Sequence, residues 1–286
     1  MQGVRRGGGR LHGHGPRLHE EVRGCRSSDT IAGMRLATFN ILHGRSPADD
    51  AVDLDRYAAA VRVLDADVVA LQEVDRDQPR SHGADLTAVA AEAMGAVDHR
   101  FAATLAGTPD VWTAATGELQ PRTAAYGIAL LSRHPVRAWR AIPLPRLDRA
   151  VPVSFPNQPH PVLVEDEPRV ALAAVVETPE GVLTVVGTHL TFIPAWNARQ
   201  LVRLVRAVAD EPRPAVLMGD LNLLPPHPER LSRWRPLAAA PTFPTGDPVE
   251  QLDHVLADGP VHATSAAALD LGLSDHRALV VDVALG

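Results

Sequence analysis

The sequence predicts an α/β protein whose single folded domain begins at residue 34. Three observations support this fold class. Apolar runs typical of buried strands end abruptly in polar residues, amphipathic helices separate several of these runs, and 286 residues with 45% hydrophobic content can bury a full core. The clearest run, residues 215–222, ends in Gly219, Asp220, Leu221 and Asn222. Because side chains alternate in an extended chain, Asp220 and Asn222 are expected on one side at the open end of a strand, where either ligand binding or turn chemistry explains them.

Residues 1–33 are predicted to be a disordered tail. They contain six arginines and a run of three glycines, and they show no apolar periodicity that could bury a core. No apolar segment follows the arginines, so a secretory signal is not predicted. Met34 directly precedes the first predicted strand, and both Met1 and Met34 remain candidate natural starts.

Composition narrows the classes of partner and the compartment. The chain has no Lys, and residues 34–286 carry 22 arginines against 31 acidic residues, a balance of −9. A general basic surface for nucleic acid is therefore not expected. The single cysteine, Cys25, allows no internal disulfide, and no apolar run is long enough to span a membrane. We expect a cytoplasmic monomer without an obligate protein partner.

The first half of the domain is predicted to alternate strands and helices. The predicted elements are a strand at 35–40, a helix ending near residue 64, a strand at 67–73, a helix at 86–94 and, after a long irregular stretch, a strand at 126–132. Asn40 and Glu73 end their strands, and Tyr126 begins the last one. Like Asp220, each of these three residues therefore lies at the end or the start of a predicted strand.

Residues 135–168 are rich in Pro and Arg and are predicted to form surface loops. Their arginines include Arg137, Arg140, Arg146 and Arg149. These side chains either steer an anionic substrate or form an ordinary solvated face.

The second half of the domain ends in a pattern rich in acids and histidines. Its predicted elements are a hairpin of strands 170–177 and 182–187, a helix at 196–209, the strand at 215–220, a short strand at 251–256 and a closing strand at 278–285. His189 follows the hairpin. Asp253 and His254 lie inside a strand, which costs stability unless both are satisfied. Asp275 and His276 precede the closing strand, where adjacent Asp and His indicate acid, base or metal chemistry.

Seven short motifs lie at the ends or starts of these strands. They are Thr38-Phe39-Asn40, Leu71-Gln72-Glu73-Val74, Tyr126-Gly127-Ile128-Ala129, Thr188-His189-Leu190, Gly219-Asp220-Leu221-Asn222, Leu252-Asp253-His254-Val255 and Ser274-Asp275-His276. In this order the set resembles the endonuclease/exonuclease/phosphatase superfamily over residues 34–286. The resemblance implies a four-layer α/β sandwich, in which two mixed β-sheets pack face to face with helices outside. It also implies a catalytic domain that hydrolyses phosphoesters with Mg²⁺ or Mn²⁺.

The need for a metal also follows from charge. A site lined by Glu73, Asp220, Asp253 and Asp275 repels an anionic phosphoester unless a divalent cation reverses the local sign. Carboxylate and amide oxygens suit Mg²⁺, with Mn²⁺ as the alternative. The resemblance implies that Asn40 and Glu73 hold the principal ion and that Asp275 is available to a second one. Whether one or two ions bind is left open.

The resemblance also implies the catalytic roles. Asp220 would orient and deprotonate the attacking water, and Asp253 would fix the tautomer of His276 and favour its charged form. Asn222 would hold Asp220 and the phosphate in place. His189 and His276 would contact the phosphoryl oxygens, and Tyr126 would touch the phosphate or the leaving oxygen.

The substrate class stays open, and a phosphodiester is the main expectation. A DNA or RNA nuclease of the same superfamily is the alternative, but the acidic domain and the 4% aromatic content do not favour it. An enzyme that acts on membrane lipids is expected to have an exposed apolar hairpin, and the sequence predicts none. A non-catalytic module that binds a metal or phosphate is the hypothesis from another class, and retention of every expected acid, amide and histidine argues against it.

Overall fold

The computed structural model describes residues 33–109, 111–115, 117–154 and 158–286, so the predicted tail lies outside the described residues except for its last residue. The strands are β1 (Met34–Asn40), β2 (Val68–Arg76), β3 (Asp98–Ala106), β4 (Thr113–Ala114), β5 (Ala125–Ser132), β6 (Val136–Leu144), β7 (Val151–Val153), β8 (Val162–Val164), β9 (Arg169–Thr178), β10 (Gly181–His189), β11 (Ala215–Asp220), β12 (Arg235–Pro236), β13 (Asp253–Asp258), β14 (Val261–Leu269) and β15 (Ala278–Leu285). The helices are α1 (Leu54–Leu64), α2 (Leu86–Met94), α3 (Trp196–Ala207) and α4 (His227–Ser232).

Most strands belong to two large mixed sheets. One sheet has seven strands in the order β14-β15-β1-β2-β5-β3-β4, and the other has six in the order β12-β13-β11-β10-β9-β6. Strands β1 and β2 are parallel, as are β10 and β11, whereas the other described neighbours in both sheets are antiparallel. Strands β7 and β8 form a separate pair.

The two sheets pack against each other through an apolar interior. Leu36 of β1 and Leu130 of β5 belong to the same buried cluster as Val216 and Met218 of β11. The outer face of the seven-stranded sheet is covered by α1 and α2 and that of the six-stranded sheet by α3, where Leu201 is fully buried. Complete burial of each such side chain contributes roughly 1.5–3 kcal/mol. The predicted four-layer α/β sandwich is confirmed.

The predicted helices and several predicted strands agree closely with the structure, but helix α4 and seven strands were not predicted, namely β3, β4, β6, β7, β8, β12 and β14. The prediction of surface loops over residues 135–168 is wrong for β6, which pairs with β9 along its length. Pro143 is tolerated in β6 because this strand lies at the edge of its sheet. Strands β3 and β14 are rich in Ala, which has weak strand propensity, and tertiary pairing determines their conformation. None of the described helices is long and apolar enough to cross a membrane.

Gly219 allows β11 to approach β10 closely one residue before Asp220. Its φ is +153°, and a Cβ atom there would lie 1.9 Å from the carbonyl oxygen of Thr188. Gly219→Ala should therefore lower the free energy of unfolding by about 2–5 kcal/mol, measured by chemical denaturation. Gly246→Ala is the matched control, since nothing lies within 4 Å of its Cβ position, and its stability should stay within about 1 kcal/mol of the wild type. Equal stability of the two variants would contradict this account of the strand contact.

Candidate active site

The predicted site residues converge because strands of both sheets open at one edge of the sandwich. Parallel strands β1 and β2 pair up to Asn40, and parallel strands β10 and β11 pair up to His189 and Asp220. Antiparallel strand β13 begins at Asp253, directly opposite Asp220. The residues before β15 meet the same edge, because β15 runs antiparallel to β1. The topology thus collects side chains that are far apart in sequence.

Asn40 connects the two sheets. Its amide nitrogen Nδ2 donates to Oε1 of Glu73 at 3.1 Å within its own sheet, and to Oδ2 of Asp220 at 3.1 Å across the interior. Its oxygen Oδ1 accepts from the backbone N–H of Leu42 at 3.2 Å. The side chain therefore presents its nitrogen between two carboxylates, and Asn40 is 2% exposed.

Glu73 reaches the site through an irregularity in β2. Strict alternation would place Glu73 in the row of Val69 and Leu71, which faces the helices. The pairing of β2 with β5 instead shifts between Leu71 and Val74, and Glu73 adopts a φ of +57°. Val74 takes the next helix-facing position, so Glu73 is free to turn to Asn40.

Asp220 is the acceptor on which the site converges. Besides the bond from Asn40, its Oδ2 lies 3.4 Å from Nε2 of His189 and 3.7 Å from Nε2 of His276. Its Oδ1 accepts from the backbone N–H of Asn222 at 3.0 Å. Burial raises the pKa of Asp220 to about 7, and the positive charge of His276 acts in the opposite direction by lowering it. The carboxylate is held in one place by groups from four segments of the chain.

His276 forms the predicted pair with Asp253. The distance from its Nδ1 to Oδ2 of Asp253 is 2.8 Å, and both residues are buried. Burial by itself would lower the pKa of His276, but the Asp253 carboxylate outweighs this effect and the pKa rises to about 10. The imidazole also contacts the ring of Phe243, with 5.0 Å between centroids. Its other nitrogen, Nε2, is the one nearer Asp220.

His189 is neutral, whereas His276 is charged. Burial lowers its pKa well below the usual value, and the positive charges of Arg169 and His276 lower it further. Asp220 is thus flanked by a neutral imidazole and by an imidazolium.

Asn222 is placed differently from the prediction. Strand β11 ends at Asp220, and Asn222 has a φ of +49°, so the two residues do not alternate along one strand. Its side-chain nitrogen donates to the carbonyl oxygen of Leu190 at 3.0 Å, and its backbone carbonyl oxygen accepts from Nδ2 of Asn197 at 2.6 Å. The contact to Asp220 comes from the backbone N–H instead.

Tyr126 borders the site beside Glu73. Burial raises its pKa well above the usual value, and the charge of Glu73 adds to this effect. Its ring lies 6.1 Å from that of Trp112, and the guanidinium of Arg80 lies 5.5 Å from its centroid. Arg80 in turn donates two hydrogen bonds to Asp75, at 2.8 and 2.7 Å.

The donor atoms fit a hard divalent cation. Burial raises the pKa of Glu73, and the negative charge of Asp275 contributes, so these two carboxylates interact. Asp220, Asp253 and His276 each place one potential ligand atom within 4.8 Å of the others and could also hold a metal, although Nδ1 of His276 and Oδ2 of Asp253 are hydrogen-bonded to each other. A cation would relieve the repulsion among these acids.

No role at the site was predicted from the sequence for Ser274, Phe243, Arg80 or Arg169. Ser274 and Phe243 are neighbours of His276, and only the tertiary structure shows their contacts. Arg169 is one of 28 arginines, and no motif or spacing distinguishes it in the sequence. Its side chain is 6% exposed at the start of β9.

Three of the four surface arginines that were considered for substrate steering are engaged elsewhere. Arg137 pairs with Glu177 at 2.7 Å, and Arg140 pairs with Glu211 at 2.6 Å. Arg146 donates to the carbonyl oxygen of Asp166 at 2.6 Å. These contacts favour the solvated-face alternative.

Comparison with known proteins agrees with this geometry. The sequence profile described as the Endonuclease/Exonuclease/phosphatase family matches residues 37–276. An endonuclease/exonuclease/phosphatase from Beutenbergia cavernae is similar with a TM-score of 0.67 and 27% identity, covering 89% of this chain and 72% of that one. The catalytic domain of human Nocturnin with bound sulfate gives a TM-score of 0.59 at 17% identity, covering 89% and 94%. A mannosyl-6-phosphatase from Bacteroides thetaiotaomicron gives 0.57 at 14%, covering 88% and 100%.

The last two likenesses show the fold alone, because their sequence identity is low. No curated protein matches the sequence. Members of the matched family are hydrolases of phosphoesters, typically with a divalent metal.

Ser274 holds the segment of His276 against the end of β1. Its Oγ donates to the carbonyl oxygen of Asn40 at 2.6 Å and accepts from the backbone N–H of His276 at 3.1 Å. Ser274→Ala leaves both buried groups without this partner, so the free energy of unfolding should fall by about 2–4 kcal/mol in chemical denaturation. Ser265→Ala, which removes an exposed bond to Asp282, should cost less than about 1 kcal/mol. The interpretation fails if the two substitutions cost the same.

Proposed function

Since this chain belongs to the endonuclease/exonuclease/phosphatase family, we propose that it hydrolyses a phosphodiester with a divalent metal ion and that Asp220 activates the attacking water. The observation that carries the proposal is the position of the Asp220 carboxylate. It is 2% exposed and lies between Asn40, His189 and His276. A carboxylate held so firmly can orient a water molecule and accept its proton.

Glu73, Asn40 and Asp275 would hold the ion, which we propose to be Mg²⁺ with Mn²⁺ as the alternative. When bound, the ion supplies charge neutralisation to the phosphate and to the leaving oxygen. Asn40 would ligate through Oδ1, which keeps a second lone pair while it accepts from the backbone N–H of Leu42. Glu73 would ligate through its carboxylate, one oxygen of which accepts from Nδ2 of Asn40.

The two histidines would bind the phosphoryl group. His276 is charged and donates from Nε2, because Nδ1 is committed to Asp253. Neutral His189 offers one further donor, and Tyr126 lies at the border of the site for the phosphate or the leaving oxygen. Each of these donors would stabilise charge that develops in the transition state. Asn222 is proposed to act on Asp220 through its backbone N–H.

A small diester is favoured over nucleic acid. The balance of −9 over residues 34–286 and the pairing of Arg137 and Arg140 with acids argue against a polyanion surface. A nuclease is the second candidate, because the neighbouring rings of Trp112 and Tyr126 offer a surface on which a base could stack at the border of the site. A non-catalytic module is disfavoured by the complete set of acids and histidines at one edge.

Metal dependence is the first test. Hydrolysis of bis(4-nitrophenyl) phosphate should require added Mg²⁺ or Mn²⁺ and should stop with a chelator. Glu73→Ala should lower the rate and raise the metal concentration for half-maximal activity by at least about tenfold, because it removes a proposed ligand. The control is Glu92→Ala, since Glu92 is an exposed carboxylate on α2. Full activity in chelator would exclude the metal mechanism.

The Asp253–His276 pair is the second test. His276→Ala should lower kcat by two to three decades at saturating metal, or about 3–4 kcal/mol, as expected for loss of one preorganised donor. Asp253→Asn acts through the same imidazole, so the double variant should resemble the worse single variant. Asp220→Ala should be at least as damaging, and His262→Ala, at an exposed histidine, should be neutral. Multiplicative losses, or wild-type kcat in His276→Ala, would refute the pairing.

A further inference from the structure

Arg169 is a buried cation with unused hydrogen-bonding capacity at the site edge. It begins β9, which runs antiparallel to β10 and therefore starts where β10 ends at His189. The side chain is 6% exposed. One nitrogen, Nη2, lies 3.1 Å from Oε2 of Glu167. The buried Nε has no hydrogen-bond partner among the described residues.

This arrangement is costly unless a ligand completes it. A guanidinium stays protonated in proteins, so Arg169 cannot escape the cost of burial by losing its charge. Buried unsatisfied polar atoms are rare in native structures and call for a specific explanation. Glu167 provides little compensation, since its side chain is 45% exposed.

The charge of Arg169 acts on the site rather than on the protein surface. It opposes the rise that burial causes in the pKa of Glu73, and likewise in that of Tyr126. It also lowers the pKa of His189 further, after the larger effect of burial. Arg169 is therefore close enough to influence three side chains from three strands of the two sheets.

We propose that Arg169 is a phosphate-binding residue, whose Nε–H donates to a non-bridging oxygen of the substrate phosphate. This inference rests on the proposed function, because it assigns a further substrate contact to the same site. Nε and the adjacent Nη2 form a planar edge that matches two oxygens of one phosphate. The exposed Glu167 side chain can move into water and leave Nη2 to the anion.

The assignment gives the site a fixed cation that does not depend on the metal. His276 is also charged, but its Nδ1 is fully used by Asp253. Arg169 has no such buried acid as a partner in the described structure, and so its charge is available to the substrate. A lysine cannot reproduce the two parallel donors, so even a substitution that keeps the charge should weaken phosphate binding.

The alternative is an ion pair with a purely structural role, and Glu167 distinguishes the two. If Arg169 serves mainly to pair with Glu167, then removing either partner should have the same effect. If Arg169 binds phosphate, Glu167→Gln removes a competitor, and phosphate binding should stay the same or become tighter. The control is Arg137→Gln, which makes the same chemical change as Arg169→Gln. Arg137 forms an exposed ion pair with Glu177, where β6 meets the far part of β9.

The experiment measures kcat, KM and inhibition by inorganic phosphate with bis(4-nitrophenyl) phosphate at saturating Mn²⁺, in the full-length protein. Arg169→Gln should weaken phosphate inhibition and lower kcat/KM, each by about 10- to 100-fold. Arg169→Lys should fall between Arg169→Gln and the wild type. Glu167→Gln should keep or strengthen the inhibition by phosphate, and Arg137→Gln should retain wild-type inhibition. Thermal unfolding of every variant identifies loss of folding, and Arg169→Lys, which keeps the charge, carries the test if Arg169→Gln unfolds.

Two results would overturn the proposal. One is an unchanged phosphate inhibition constant in both Arg169 variants. The other is equal loss of inhibition and of stability in Arg169→Gln and Glu167→Gln, which would identify a structural ion pair. If the wild type hydrolyses no phosphoester, the proposed function fails instead. Calorimetric titration of the wild type and Arg169→Lys with inorganic phosphate and Mn²⁺ then still decides whether Arg169 binds the anion.

Discussion

The hydrogen bonds of Asn40 to two carboxylates, one from each sheet, are the contact on which the site depends. Glu73 and Asp220 would repel each other in a buried place, and the amide nitrogen between them reduces that repulsion while setting their separation. This arrangement requires the two sheets to pack face to face with their edges in register. The apolar interior of the sandwich therefore determines the spacing of the polar atoms at its rim.

The same edge concentrates buried charge, and several of these charges have specific counterparts. His276 is paired with Asp253, and Asp220 receives bonds from Asn40 and from the backbone of Asn222. Such networks are costly when partly satisfied, which explains why so many side chains here are held by more than one contact. The site has more acids than these pairs neutralise. This excess is consistent with a site whose negative charge is balanced by a bound cation and which then accepts a phosphate.

Two local irregularities place side chains that regular strands could not. The shift in β2 turns Glu73 away from the helix layer, and Gly219 lets β11 approach the carbonyl of Thr188. Both cost conformational energy, and both lie within a few residues of the proposed chemistry. The stability of the surrounding sandwich maintains them.

The sequence by itself determined the fold class and the strand ends that carry chemistry, because apolar periodicity and strand-terminal polar residues are local properties of the chain. The tertiary structure decided the rest. It formed β6 within a region rich in Pro and Arg, and β14 from a segment rich in Ala, because pairing with β9 and β15 outweighs these local preferences. It also turned Glu73 inward and buried Arg169, because contacts between residues distant in the sequence control both placements.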